Sequence, residues 1–504
     1  MAALYCQKED AVYGRGLYAT TRVPAGSNVL MEIPVVHVVT MAHKACQFCL
    51  GKPQDTPLLG CSGCNKRVWY CGKDCQRKDW PFHREECKGM AELGAVGERC
   101  DITATADLNL LDHDVNSTRL LVRAVCTKDL VLNISSLVHE DPIKRESVIS
   151  YILLADMMVV KKRHGRGIAD IVKEKYGDEV VNEAMVATIC TRIVSSYFSI
   201  HDYKVGQEFG NNVGRGIYPQ CSMLNHSCEP NCVWVSDGRT MVVRTVKDVA
   251  AGEQFFIGYI NPYIIEKHNK TFMSKYFGFV PSCKHCDLPN RALKSDQTHL
   301  AKVNALYNAQ DWQAVVDYSG SIKSTLTIVR VTEIQFNAYH KLNNYPEAVK
   351  CAQKALDLTR DCPDTSQWLR WWKLFQIQYL IWKSSPDVFL IHDELVELHM
   401  GHPCDHHFDG IAVFIEEKGV SLESTLRTLM KALERGSPFM AAVLALKEAV
   451  KAAEMSHGPD HSLTKECDDL LSHTEQFVQE AIPLVQRAIL RKHLKSSSIT
   501  FLKI

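Results

Sequence analysis

Between residues 46 and 87 the chain sets out four pairs of metal-seeking side chains. They read C-Q-F-C at Cys46 and Cys49, C-S-G-C at Cys61 and Cys64, C-G-K-D-C at Cys71 and Cys75, and H-R-E-E-C at His83 and Cys87. A segment this short buries too little apolar surface to stay folded unaided, so metal binding has to supply folding energy. Thiolate and imidazole in closed four-coordinate sites are what zinc favours, and four pairs suit two tetrahedral ions. Metal rather than disulfide is the reading for a reducing compartment. The N-terminal MAALYCQKED lacks the apolar run of a signal peptide, and no apolar stretch is long enough to span a bilayer. An intracellular chain is therefore expected, in the cytoplasm, the nucleus or both. Of the 20 cysteines, scattered ones such as Cys6, Cys126, Cys190, Cys351 and Cys467 read as small core hydrophobes.

Around this segment the patterning changes several times. Upstream, YGRGLYATTRVPAGSNVLMEIPVV alternates apolar residues in short runs broken by Pro24 and Gly26, which predicts strands and turns. From Leu108 to Ala187 the spacing is helical, as in SVISYILLADMMVVKKRHG. Strand character returns at Gly214, with Asp237-Gly238 between two apolar runs as a hairpin signal. Within it, LNHSCEPNC (Leu224 to Cys232) has neither a helix nor a strand period. From about Arg291 long helical patterns dominate, and the 504 residues leave room for several domains.

VWYCGKDCQRKDWPFHREEC resembles a MYND zinc finger. That resemblance implies interleaved ligation, with Cys46, Cys49, Cys71 and Cys75 on one ion and Cys61, Cys64, His83 and Cys87 on the other. GRGLYA, LNHSCEPNC and AGEQFFIGYI follow one another as in SET-domain protein lysine methyltransferases, and a MYND finger between the first piece and the rest resembles the SMYD (SET-and-MYND) family. The implied fold is α+β and multidomain. A β-rich SET domain with a pseudoknot is split by the finger and a helical insertion, then followed by a zinc-binding post-SET segment and an all-α TPR-like C-terminal domain. In residue numbers these are 1–45 (SET, N-terminal part), 46–87 (finger), 88–195 (insertion), 196–262 (SET core), 263–290 (post-SET) and 291–504 (TPR-like).

The same resemblance implies transfer of a methyl group from S-adenosylmethionine to a protein lysine. It puts Asn225, His226, Arg15, Ser196 and Tyr259 at the cofactor, and Tyr259 in the lysine channel, with Phe255, Phe256 and Tyr263 as apolar walls. Ser196 stands in SSYFSI where relatives carry an Asn. A second channel tyrosine is Tyr276, or is replaced by Phe277, depending on register. Cys228, Cys283 and Cys286 form the expected third zinc site, one ligand short because Pro281 occupies a cysteine position; His285, Cys232 or a water are the alternatives for the fourth.

AYHKLNNYPEAVKCAQKALDL resembles a tetratricopeptide helix pair, and in the family this region closes over the catalytic face. The cluster His402, Cys404, His406 and His407 reads as a polar loop. Lys+Arg and Asp+Glu are equal at 58 each, and the finger offers few basic residues for tracking phosphates, which argues against nucleic acid as a direct specific ligand. The expected partners are a protein substrate and, through the finger, proline-rich peptides, with the chain itself monomeric. The competing reading is a catalytically weak adaptor that recruits protein partners.

Overall fold

The computed structural model describes residues 4–11, 13–40, 45–51, 57–97, 115–126, 170, 196–202, 211–259, 279, 290–322, 328–360, 367–383 and 422–490. The chain divides into two compact units, residues 1–203, 210–262 and 266–290 in the first and 204–209, 263–265 and 291–504 in the second.

The first unit is built from short strands: β1 (Tyr5–Asp10), β2 (Gly14–Ala19), β3 (Asn28–Glu32) and β4 (Val36–Val39). The cysteine-rich segment adds a two-stranded ribbon, β5 (Leu59–Gly60) with β6 (Trp69–Tyr70), and a helix α1 (Lys73–Gly97) that runs past the last ligand; α2 (Val115–Cys126) follows. Strands resume with β7 (Tyr197–Asp202), β8 (Asn211–Ile217), β9 (Asn225–His226), β10 (Cys232–Asp237), β11 (Thr240–Thr245) and β12 (Phe256–Ile257). They pair as β10-β11-β3, β4-β8-β7, β1-β2 and β12-β9. The expected hairpin is present: Asp237 pairs with Thr240, and Gly238 holds φ +56°, a left-handed conformation that a two-residue turn requires and glycine adopts without strain. Apolar side chains from these sheets meet in one core that includes Leu17, Val29, Ile200, Tyr218, Leu224, Val243, Phe255 and Ile257.

The second unit is helical throughout its described residues: α3 (Asn290–Asn308), α4 (Trp312–Gly320), α5 (Ile328–Lys341), α6 (Tyr345–Thr359), α7 (Gln367–Lys383), α8 (Leu422–Leu433), α9 (Pro438–Ser456) and α10 (Ser462–Leu490). Helices α5 and α6 form a pair across Leu342–Asn344, where Asn343 turns the chain at φ +56°. Buried Ala338, Ala348 and Ala352 are small enough for close approach of helices. Helix starts follow sequence: Asp311 accepts from Ala314 N (3.1 Å), and Ser437 accepts from Met440 N (3.2 Å) ahead of Pro438. Among the described residues no helix is long and apolar enough to cross a membrane. The helical stretch 147–165 and the His402–His407 cluster lie outside the described residues.

Candidate active site and zinc quartets

The four ligand pairs fold into two quartets. Ligand atoms of Cys46, Cys49, Cys71 and Cys75 lie within 4.8 Å of one another, as do those of Cys61, Cys64, His83 and Cys87. In a tetrahedron with zinc–sulfur bonds of about 2.3 Å the sulfurs stand ~3.8 Å apart. Cys49 and Cys71 Sγ are 3.6 Å apart, and Cys61 and Cys87 Sγ 3.8 Å. His83 is fully buried, and its Nε2 has no hydrogen-bond partner among the described residues, an orphan that a metal ion in this quartet would satisfy. Spacing and donor chemistry thus fit zinc in both quartets. Local backbone sets up the second one: Ser62–Cys64 form a 3-10 turn, Asn65 and Lys66 take left-handed φ of 53° and 59°, and Lys66 N returns to Cys61 O at 2.8 Å. On α1, His83 and Cys87 are four residues apart and share a face.

The LNHSCEPNC stretch sits against two other parts of the sheet region. A 3-10 turn, Cys221–Met223, leads into it, and the Glu32 carboxylate accepts from Gln220 N (3.0 Å) and Cys221 N (2.9 Å) at its start. Strand β9 then pairs in parallel with β12, Asn225 with Phe256 and His226 with Ile257. Asn231 fixes the segment leading into β12, donating to Gln254 O (2.9 Å) and accepting from Phe256 N (2.8 Å). This is the backbone-tying role that its side-chain amide suits.

Asn225 Nδ2 donates to Arg15 O (2.9 Å) and Tyr13 O (3.2 Å), drawing the start of β2 onto β9. Gly16 leaves room for both amides. An added Cβ would lie 2.0 Å from Gln254 Nε2 and 3.0 Å from Asn225 Nδ2. Gln254 Nε2 is buried without a hydrogen-bond partner among the described residues, while its Oε1 accepts from the Tyr18 hydroxyl at 3.2 Å. His226 Nδ1 accepts from Tyr259 N at 3.0 Å, so the ring proton is on Nε2, which faces Cys228 Sγ at 3.2 Å. The Tyr259 hydroxyl donates to Leu224 O at 2.7 Å, and burial pushes that phenol up, keeping it protonated. Phe279 completes an aromatic cluster, its ring centre 5.9 Å from that of His226 and 6.1 Å from that of Tyr259. Ser196 is half-buried, and its carbonyl lies 3.0 Å from Ser222 Oγ, three residues before Asn225.

The structure therefore gathers Arg15, Asn225, His226 and Tyr259 into one locality and ties Ser196 to the turn that leads into it. Phe256 is at its edge, with its ring centre 5.2 Å from that of Tyr13, whereas Phe255 is buried in the core behind. Tyr263, Tyr276, Phe277, Cys283, His285 and Cys286 lie outside the described residues. Cys232, one alternative for the fourth ligand, packs in the apolar core, where burial pushes its thiol up. Sequence reading passed over Phe279, Gln254 and Glu32. The FGF run holds Phe279 in plain view, but no spacing rule separates it from its neighbour Phe277.

The SET-domain family model matches residues 14–260. Together with the site geometry this makes the chain a SET-domain protein. N-lysine methyltransferase SMYD2-A of Xenopus laevis is 24% identical over 458 residues, covering 89% of this chain and 94% of its own length. SMYD2 of Gallus gallus is 23% identical over 90% of this chain and 95% of its own. Histone-lysine N-methyltransferase SMYD3 of Homo sapiens is 24% identical over 330 residues, 62% of this chain and 70% of its own. The chain belongs to the SET-and-MYND (SMYD) family.

Proposed function

We propose that this chain is an S-adenosylmethionine-dependent protein-lysine N-methyltransferase. The observation that carries the reading is the convergence of Tyr259, His226 and Asn225 on the β9–β12 pair, with Asn225 holding the glycine-flanked Arg15. We also read the Asn225–His226 segment as the threaded strand of the SET pseudoknot, the cysteine-rich segment as a MYND finger carrying two zinc ions, and the helical unit as TPR-like. Cys228 is assigned, with Cys283 and Cys286, to a third zinc site, and proline-rich peptides to the finger. The expected compartments are cytoplasm and nucleus.

S-adenosylmethionine, when bound, supplies an activated methyl group. Asn225 Oδ1 accepts from no other described residue and suits the cofactor's ammonium group, while Asn225 Nδ2 holds the Arg15 backbone in place. The apolar rings of Tyr259 and Phe279 exclude water and disfavour the charged form of an incoming lysine. With its proton committed to Leu224 O, the Tyr259 hydroxyl meets the amine as an acceptor and aims its nitrogen. Alignment of this kind is worth several orders of magnitude in rate. The test is transfer of radiolabelled methyl from S-adenosylmethionine across a protein array. Lysine labelling by the wild-type chain, and its loss in Tyr259→Phe, is expected; an unlabelled array with cofactor bound would favour the adaptor.

A further inference from the structure

Helix α1 carries Asp79, His83 and Glu86 at positions i, i+4 and i+7, so the three line one face. Glu86 Oε1 lies 3.3 Å from His83 Nδ1, the ring nitrogen away from the quartet. Glu86 also accepts from Arg119 Nε (3.0 Å) and from Arg123 Nε (2.8 Å) and Nη2 (2.6 Å). Arg123 reaches on to Asp79 (2.8 Å), which takes a further bond from the Tyr70 hydroxyl (2.7 Å). Both arginines come from α2, and all four charged side chains are at most 2% exposed.

The guanidiniums do not end there. Arg119 Nη1 donates to Val39 O at 2.7 Å, and Arg123 Nη1 reaches His37 O at 3.3 Å. These carbonyls belong to β4, an edge strand of the β4-β8-β7 sheet. Gln47, immediately after Cys46, adds to the same edge: its carbonyl bonds His37 Nε2 (2.8 Å) and its Oε1 takes Arg119 Nη2 (2.9 Å). An edge strand that would otherwise offer unpaired carbonyls is thus covered by side chains answering to the zinc-ligand helix. A carboxylate on the second nitrogen of a ligating histidine is the arrangement that orients such ligands. Here the same carboxylate also anchors both arginines.

We propose that Glu86 is a positioning residue that couples zinc in the Cys61, Cys64, His83 and Cys87 quartet to the β4-β8-β7 sheet, making the finger part of the SET core rather than a separate module. The chain of causes runs one way through named atoms. Zinc fixes the His83 ring, the ring fixes Glu86, and Glu86 holds Arg119 and Arg123 on the β4 carbonyls. Without the metal, the quartet residues can separate, and a balanced buried cluster of two acids and two arginines loses its register.

The inference rests on zinc loading of this quartet, so zinc content is measured first, on the full chain. Deuterium exchange is then compared before and after removal by a chelator, in peptides covering residues 35–40 and 115–126. Stripping is expected to speed exchange in both segments by about tenfold or more. Glu86→Gln is expected to release one zinc ~10–100-fold faster than wild type, the usual effect of losing such a partner. Metal missing from the quartet would overturn the zinc reading and this one together. Zinc present, with exchange in both segments within about twofold of the loaded protein after stripping, would overturn the coupling alone. So would wild-type zinc release from a folded Glu86→Gln.

Discussion

The Tyr259 hydroxyl spends its proton on Leu224 O, 2.7 Å away, and this bond sets the rotation of the phenol beside the cluster of His226 and Phe279. Tyr259→Phe removes one oxygen and little volume, so the fold should persist. Methyl transfer should fall roughly 10 to 1000-fold, about 1.4–4 kcal/mol of barrier, with cofactor affinity nearly unchanged; wild-type turnover would show that the hydroxyl does not aim the amine. Gly16→Ala tests the neighbouring contact. A methyl 2.0 Å from Gln254 Nε2 must displace it or β2, at a cost of roughly 1–3 kcal/mol as overpacking does. A lowered melting temperature and weakened cofactor binding are expected, and neither change would mean that the gap accommodates a side chain. At this scale the sequence was legible where residue type is dictated by chemistry, as for the eight cysteine and histidine side chains that gather into two quartets. It was not legible for Glu32 or Gln254, because a lone polar residue in a strand looks the same whether it caps a turn 189 positions away or faces solvent.

Among the elements, helix α1 runs on from the finger ligands to Gly97 and meets α2 through buried ion pairs of Asp79 and Glu86 with Arg119 and Arg123. The signal was present: Arg119 and Arg123 stand four apart in STRLLVRAVC, an apolar helical run in which two arginines need buried partners. Hydrophobic periodicity alone assigns both to solvent. Strands β4 and β7 carry a pH liability of similar origin. Burial lowers His37 to about 4, opposed by the Asp79 carboxylate and reinforced by the Arg123 guanidinium, and burial lowers His201 to about 4. Between about pH 4 and 6.5 the unfolded chain takes up these protons and the folded chain does not. This contribution to stability is therefore complete above about pH 6.5 and is lost as pH falls toward 4, by up to roughly 3 kcal/mol per histidine. Urea midpoints should drop steadily over that range. His201→Phe, which keeps a ring against Trp234, should shrink the drop by about half if the two contribute equally; an undiminished drop would place the liability elsewhere.

For the whole molecule, two compact units and two quartets, one of four cysteines and one of three cysteines and a histidine, set the terms. The order of motifs made the family and the strand-rich first unit legible, and helical spacing did the same for the second. Pairings such as β9 with β12, from segments thirty residues apart, depend on tertiary contacts that no local pattern encodes. Elemental analysis should return at least two zinc per chain, and a lower value would mean that a quartet closes without metal. Calorimetric titration with S-adenosylmethionine decides whether the Asn225–His226 locality receives the cofactor. The wild type should bind one cofactor per chain, and Asn225→Ala should show no detectable binding at unchanged zinc content. Absence of binding to the zinc-loaded wild type, or affinity within about threefold in Asn225→Ala, only ~0.7 kcal/mol, would contradict it.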